Sequence, residues 1–322
     1  MQKYNKGQVI IPTGGGKTIC MIEDAKRQID TDGPTTIVVV APRILLAEQL
    51  CKEFLELIDD AAVYHVHSGE TKHFSSTKPA LIKNWHRQAY RNQLIFTTYH
   101  SLHKVQEAGI NVDTIYFDEA HNSVQRNFFP ATEHFSADAD RCYFFTATPK
   151  HSVTIFKPGM NDGDVYGQVI CNVPAPKLVE EGYILPPKVV VQQLPQGDFK
   201  QSDDKNLLDT IDANSLNKIL IAARSTKQIV RMVSQTDFCH ELKQRGYNWM
   251  YITSKTGAII NGIKVSREEF FKTLNQWGQD DTRFVIMHHS ILSEGINVKG
   301  LEAVLFMRNM DYIGISQSIG RV

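Results

Sequence analysis

Residues Pro12–Thr18 read Pro-Thr-Gly-Gly-Gly-Lys-Thr, and Asp118–His121 read Asp-Glu-Ala-His. The first string is a glycine-rich loop ending in Lys-Thr. The second is an acidic pair with a histidine two residues on. Gly14, Gly15 and Gly16 let backbone amides point inward without side-chain clash. Lys17 offers a charge to the β- and γ-phosphates of a nucleotide, and the Thr18 hydroxyl offers a ligand to Mg²⁺. Asp118 would hold that ion through water, while Glu119 would orient and deprotonate an attacking water. His121 follows the carboxylates directly, within reach of a γ-phosphate or of Thr146. Together these side chains fit the hydrolysis of a nucleoside triphosphate.

Such groups work only if the chain brings them together. Gln8–Ile11 is a short apolar run, and Thr18–Gln28 has helical spacing with Ile19, Ile22 and Ala25 on one side. The order strand, glycine loop, helix aims the positive end of a helix dipole at the loop. Thr114–Phe117 is an apolar strand ending at Asp118, and Cys142–Phe145 is another ending at Thr146-Ala147-Thr148-Pro149. Ligands of open α/β sheets bind at the C-terminal ends of strands, where all three strings would lie.

Strands and helices alternate through the rest of the first half, as a parallel sheet requires. Thr35–Ala41, Ala61–His67 and Gln93–Thr97 read as strands, and Ile44–Ile58 and residues 101–107 as helices. Residues 149–176 are rich in Gly, Pro, Asn and Asp and read as a connector. Beyond it, Val189–Leu194, Gln228–Val233, Asn248–Thr253, Arg283–Met287 and Leu301–Met307 read as strands. Asn206–Ala223, Phe238–Arg245 and Arg267–Trp277 read as helices. The expected architecture is α/β in two tandem domains, 1–170 with the phosphate loop and 171–322 without one of its own, each a mostly parallel sheet flanked by helices.

At 322 residues the chain suits two domains of roughly 150 each. The 35 basic and 35 acidic residues cancel, which argues against a purely electrostatic nucleic-acid binder but leaves room for a local basic groove. No apolar run reaches the roughly 18 residues that cross a membrane, and no signal-peptide pattern opens the chain. The five cysteines form no C-x-x-C pair, which fits a reducing compartment. An intracellular, cytoplasmic location is expected.

This set of strings resembles superfamily 2 helicases and translocases, whose first motif commonly reads Pro-Thr-Gly-x-Gly-Lys-Thr. The resemblance implies two RecA-like domains with ATP and Mg²⁺ in the cleft between them. It makes Pro12 to Thr18 the phosphate loop, with Lys17, Asp118 and Glu119 catalytic. It places nucleic-acid contacts near Pro42 and Arg43 and near Thr97, Thr98 and Tyr99. Thr146 and Thr148 resemble the motif that links nucleotide state to strand movement. In the second half, Ser293-Glu294-Gly295-Ile296-Asn297 resembles the fifth motif, with Gly295 and Asn297 near the nucleotide. Gln317 and Arg321 resemble the start of the sixth, which completes the catalytic site. Among subfamilies the resemblance is to DNA helicases of the phage UvsW and restriction-translocase type.

The resemblance implies a DNA-dependent ATPase that moves on or unwinds DNA. It also implies a second arginine at position 324 and an adenine-reading segment before Pro12, so the chain is expected to be a truncated motor completed by other domains or subunits. Two alternatives stand beside it: an ATP- or DNA-binding remnant with little hydrolysis, and a motor that tracks RNA. His65 and His67 share one strand face, with His73 nearby. No neighbouring carboxylate or thiol in the sequence completes a ligand set, so they are read as ordinary histidines. Trp85, Trp249 and Trp277 are read as packing residues rather than base-stacking platforms.

Overall fold

The computed structural model describes residues 1, 3–29, 33–154, 156–184, 201–253, 256–289 and 300–307. The chain divides into two compact units, Met1–Leu185 and Pro186–Val322.

The first unit opens with β1 (Lys6–Ile10), α1 (Lys17–Ile29), β2 (Thr36–Ala41) and α2 (Ile44–Leu55). It continues with β3 (Ala62–Val66), β4 (Phe74–Ser75), α3 (Pro79–Gln88), β5 (Gln93–Thr98) and α4 (Leu102–Ala108). Next come β6 (Thr114–Phe117), a 3₁₀ turn (Ala120–Asn122), α5 (Phe129–Asp138) and β7 (Arg141–Thr146). It ends with α6 (Gly163–Tyr166), β8 (Val169–Asn172) and α7 (Ala175–Glu180). The boundary expected at 170/171 falls inside β8, which pairs with β1 and so joins the first sheet.

The eight strands lie in the order β4-β3-β5-β2-β6-β7-β1-β8. Every neighbouring pair is parallel. A parallel sheet with helices on both faces buries both sides of its strands, which is why β2 is apolar without alternation. Val38 and Val40 pack on one face with Tyr64, Ile95, Phe117 and Phe144. Ile37 and Val39 pack on the other with Phe96, Tyr116 and Phe145.

Helix α1 is tied to the sheet by a buried polar network. Asp24, 2% exposed, meets Arg141 Nη2 at 3.0 Å and accepts from the Tyr116 hydroxyl at 2.7 Å. Gln28 Nε2 donates to that hydroxyl at 2.9 Å. These residues sit on α1, β6 and β7, so the network holds the helix that starts at Lys17 against the strands that carry the acidic pair and Thr146.

The second unit contains α8 (Asp203–Asn214), β9 (Lys218–Ala222), α9 (Thr226–Gln235), α10 (Phe238–Gln244) and β10 (Asn248–Thr253). It continues with β11 (Gly257–Ile260), β12 (Ile263–Val265), α11 (Arg267–Gln279), β13 (Phe284–His288) and β14 (Ala303–Phe306). Its sheet runs β12-β11-β10-β13-β9-β14. The three pairs β10·β13, β13·β9 and β9·β14 are parallel, while β10-β11-β12 is an antiparallel meander.

Two expectations for this unit are corrected. Gln228–Val233 is not a strand but part of α9: Ser225 caps the helix by accepting from the Gln228 amide, and Ile229 and Met232 are buried at helical spacing. Asn206–Ala223 is not one helix. It breaks at Ser215, whose φ of 51° is left-handed, and Lys218–Ala222 forms β9. The expected strand Val189–Leu194 lies outside the described residues.

Candidate functional site: a glycine loop, an acidic pair and a threonine on one sheet edge

Strands β6, β7 and β1 are consecutive neighbours, and all three run the same way. Their C-terminal ends therefore lie along one edge, with neighbours about 4.8 Å apart. Register fixes the details. Ile10 stands opposite Thr146, and the Ile11 amide donates to the Thr146 carbonyl at 3.1 Å. The Asp118 amide donates to the Val40 carbonyl at 2.9 Å. The glycine loop, the acidic pair and Thr146 thus leave the sheet side by side.

The loop needs its glycines for two separate reasons. Gly14 and Gly16 adopt φ of 77° and 89°, the left-handed region that side chains disfavour. Gly15 is a matter of space: a Cβ there would come within 2.6 Å of the Ile11 side chain and 3.0 Å of the Pro12 carbonyl. Pro12 and Thr13 are half-buried before the loop, and Thr18 is half-buried in the first turn of α1. Those first-turn amides have no partner within the helix and face outward from its positive end.

Lys17 is buried, and its Nζ lies 3.6 Å from Glu119 Oε1. Glu119 has φ 47° and ψ 53°, a left-handed conformation that a non-glycine residue adopts only when its surroundings impose it. The turn swings its carboxylate back toward Lys17. Its other oxygen, Oε2, is buried and makes no hydrogen bond, with His121 Nδ1 3.5 Å away. Asp118 is 6% exposed. Burial, and then the neighbouring Glu119 carboxylate, push its carboxyl up to about 7, against the pull of Lys17.

Two buried carboxylates against one ammonium leave negative charge that a divalent cation would balance. The donors fit magnesium: a hydroxyl at Thr18 and a carboxylate at Asp118, both hard oxygen ligands, beside a loop suited to phosphate. His121 connects this pair to the third string. Its Nδ1 lies 3.1 Å from Thr146 Oγ1, which accepts from the Thr148 amide at 3.1 Å. Thr148 Oγ1 is buried and has no hydrogen-bond partner.

The nucleic-acid contacts expected from the sequence fare unevenly. Pro42 is buried, and Arg43 is exposed at the start of α2. Thr97, Thr98 and Tyr99 are 0%, 3% and 2% exposed. The Thr97 hydroxyl donates to the Val66 carbonyl at 2.9 Å, and the Tyr99 hydroxyl to the Asp118 carbonyl at 2.8 Å. These side chains brace the strand ends from within. Gly295, Asn297, Gln317 and Arg321 lie outside the described residues. Sequence reasoning missed the Glu119 backbone conformation, the Tyr99–Asp118 bond and the Asp24 network. None has a local signal, because each depends on partners far along the chain.

Residues 2–151 match the family described as "Type III restriction enzyme, res subunit". That stretch, just under half of the chain, holds the glycine loop, the acidic pair and Thr146, and its likeness is to the superfamily 2 helicases and translocases. No curated protein matches the chain by sequence. Among solved structures, the "ATP-dependent Type ISP restriction-modification enzyme LlaBIII bound to DNA" matches at TM-score 0.73 and 17% identity, covering 100% of this chain and 25% of that one. The chain thus spans a quarter of that enzyme's length. The "DUF1998 helicase MrfA bound to DNA and AMPPNP" matches at TM-score 0.65 and 16% identity, covering 99% and 44%. "S. cerevisiae Dbp5 bound to RNA and ADP BeF3" matches at 0.61 and 14%, covering 98% and 75%. At these identities the likeness concerns the fold, which is α/β with RecA-like helicase domains. No described helix is long and apolar enough to cross a membrane.

Proposed function

We propose that the chain is a DNA-dependent ATPase that moves on or unwinds DNA. The observation that carries this reading is the convergence of Lys17, Asp118, Glu119, His121 and Thr146 on one sheet edge, with Lys17 already 3.6 Å from Glu119. The amides of residues 14–18 and the Lys17 ammonium would bind the phosphates of ATP. Thr18 and Asp118 would hold Mg²⁺, which when bound offsets the charge of the phosphates. Released from Lys17, Glu119 would accept the proton of the attacking water. His121 would pass a change at Glu119 to Thr146 and Thr148, whose hydroxyl lacks a partner until the site fills. From the resemblance, Gln317 and Arg321 would complete the site on closure of the second domain, with Gly295 and Asn297 beside the nucleotide. Arg43 would meet the DNA backbone.

DNA is favoured by the restriction-enzyme family match and by the DNA named with LlaBIII and MrfA. The RNA named with Dbp5 keeps RNA as the competing track. The test is ATP turnover of the full chain with and without single-stranded DNA, duplex DNA and RNA. DNA should stimulate turnover more than RNA. Lys17→Ala should lower it on the order of 10²-fold or more. Wild-type turnover no higher than that of Lys17→Ala would overturn the enzyme reading and leave a nucleotide-binding remnant.

A further inference from the structure

A second buried polar cluster lies on the same sheet, at the end of β3. His65 and His67 point to one side of that strand, and both side chains are 0% exposed. Helix α2 lays Glu48 across them. His65 Nδ1 lies 2.9 Å from His67 Nε2. Glu48 Oε1 lies 3.5 Å from the first nitrogen and 3.3 Å from the second. The carboxylate that the local sequence did not offer therefore comes from the preceding helix.

We propose that Glu48, His65 and His67 form a binding site for a zinc-class divalent cation. Three donor atoms 2.9, 3.3 and 3.5 Å apart define one face of a slightly compressed tetrahedron, since zinc bonds of about 2.0–2.1 Å to nitrogen and oxygen imply edges of about 3.3–3.4 Å. A single point about 2.0–2.1 Å from all three atoms exists just off their plane. One of the donors also has unused capacity: Glu48 Oε1 is buried and makes no hydrogen bond. Two ring nitrogens 2.9 Å apart need either a shared proton or a cation between them.

The surroundings suit a ligand set. The Thr71 hydroxyl donates to the other Glu48 oxygen at 3.2 Å, which holds the carboxylate in place. The Gly69 amide donates to His67 Nδ1 at 3.2 Å. Coordination through Nε2 would move the His67 proton to Nδ1, so the Gly69 hydrogen bond would be given up as the ion enters. A cleft of about 540 Å³, lined by His67, Gly69, Thr71, His73, Ser75 and Lys78, adjoins the cluster at His67. Cys51 and His73 form a second triple with His65, all within 4.8 Å of one another, but the assigned set is the one whose donor distances match tetrahedral edges. Two imidazoles and a carboxylate favour zinc over magnesium, which takes oxygen ligands. Since α2 begins right after Arg43, the ion would fasten that helix to the loop following β3.

Zinc binding to the full chain, measured by competition with a chromophoric chelator in excess Mg²⁺, tests this site. One equivalent should bind and raise Tm by several degrees at a hundredfold excess over Kd. Glu48→Gln and His67→Gln, chosen to keep volume and polarity, should each weaken binding at least tenfold while far-UV circular dichroism stays unchanged. Cys51→Ser should bind as wild type. Cobalt substitution should give the intense visible bands of a tetrahedral site in the wild type and lose them in His67→Gln. Less than a tenth of an equivalent bound, or equal affinity in wild type, Glu48→Gln and His67→Gln, would overturn the proposal. Loss of binding in Cys51→Ser alone would overturn the ligand assignment.

Discussion

Two buried polar clusters sit at the C-terminal ends of strands in one parallel sheet, and they are built on opposite electrostatic terms. Around Lys17, two carboxylates crowd one ammonium, and burial and then the Glu119 carboxylate push Asp118 up toward neutrality against the pull of Lys17. Around His65, two buried imidazoles stand beside one partly exposed carboxylate. Burial drives the His65 ring down to about 3 and pushes the Glu48 carboxyl upward, against the Thr71 hydrogen bond. The first cluster stores unfavourable charge that a hard cation and phosphates would use. The second presents lone pairs that suit a softer ion. A site of the first kind weakens the protein while it waits; one of the second kind does so much less.

The sharpest way to break this comparison is at Glu119. Glu119→Gln keeps the side-chain volume but removes the base, so ATP turnover should fall on the order of 10²-fold or more while nucleotide binding persists. Equal turnover in the variant would move the first cluster from catalysis to mere binding, and the contrast would lose its functional half.

A smaller effect separates the two clusters by stability. The Asp118 carboxyl in the fold lies well above its unfolded value of about 3.9. The unfolded chain therefore binds fewer protons between those values, and this group's contribution is lost as pH rises from about 4 through about 7. Without nucleotide, Asp118→Asn should raise Tm by a few degrees at pH 7.5 and flatten the pH dependence of Tm over that window. Glu48→Gln without zinc should shift Tm less, because Glu48 is about a third exposed and its penalty is screened. A larger shift from Glu48→Gln than from Asp118→Asn, followed by thermal denaturation across pH 4–8, would reverse the ranking.

The two clusters also differ in how far the sequence revealed them. Lys17, Asp118 and Thr146 each end a contiguous string, strand then functional residue, and parallel neighbours bring such strings together without further information. Glu48 belongs to a helix read only as amphipathic, and nothing local couples it to His65. The same limit explains the two misread elements. Lys218–Ala222 is buried on both faces, so its apolar run carries no period to tell strand from helix. Ile229-Val230 looks β-branched and strand-like, yet Ser225 caps a helix there. The turn between β11 and β12 is legible in the Asn261-Gly262 pair. Asn261 and Gly262 both have positive φ, at 47° and 87°, which an Asn-Gly hairpin turn requires.

The smallest expected effect concerns the wall of the first cluster. The resemblance places Tyr99 near the nucleic acid, while in the fold its hydroxyl is buried and donates to the Asp118 carbonyl at 2.8 Å. Tyr99→Phe removes that bond and leaves the carbonyl without the hydroxyl in a water-free setting, at a cost of about 1–2 kcal/mol. In a domain of this size that corresponds to a fall in Tm of roughly 2–8 °C. DNA affinity, measured at fixed salt, should stay within twofold, because no phosphate can reach a side chain 2% exposed. Turnover should fall modestly, since the lost bond braces the backbone that aims Asp118 and Glu119. Weakened DNA binding with unchanged Tm would instead return Tyr99 to the nucleic-acid surface, and would require β5 to open when the motor engages its track.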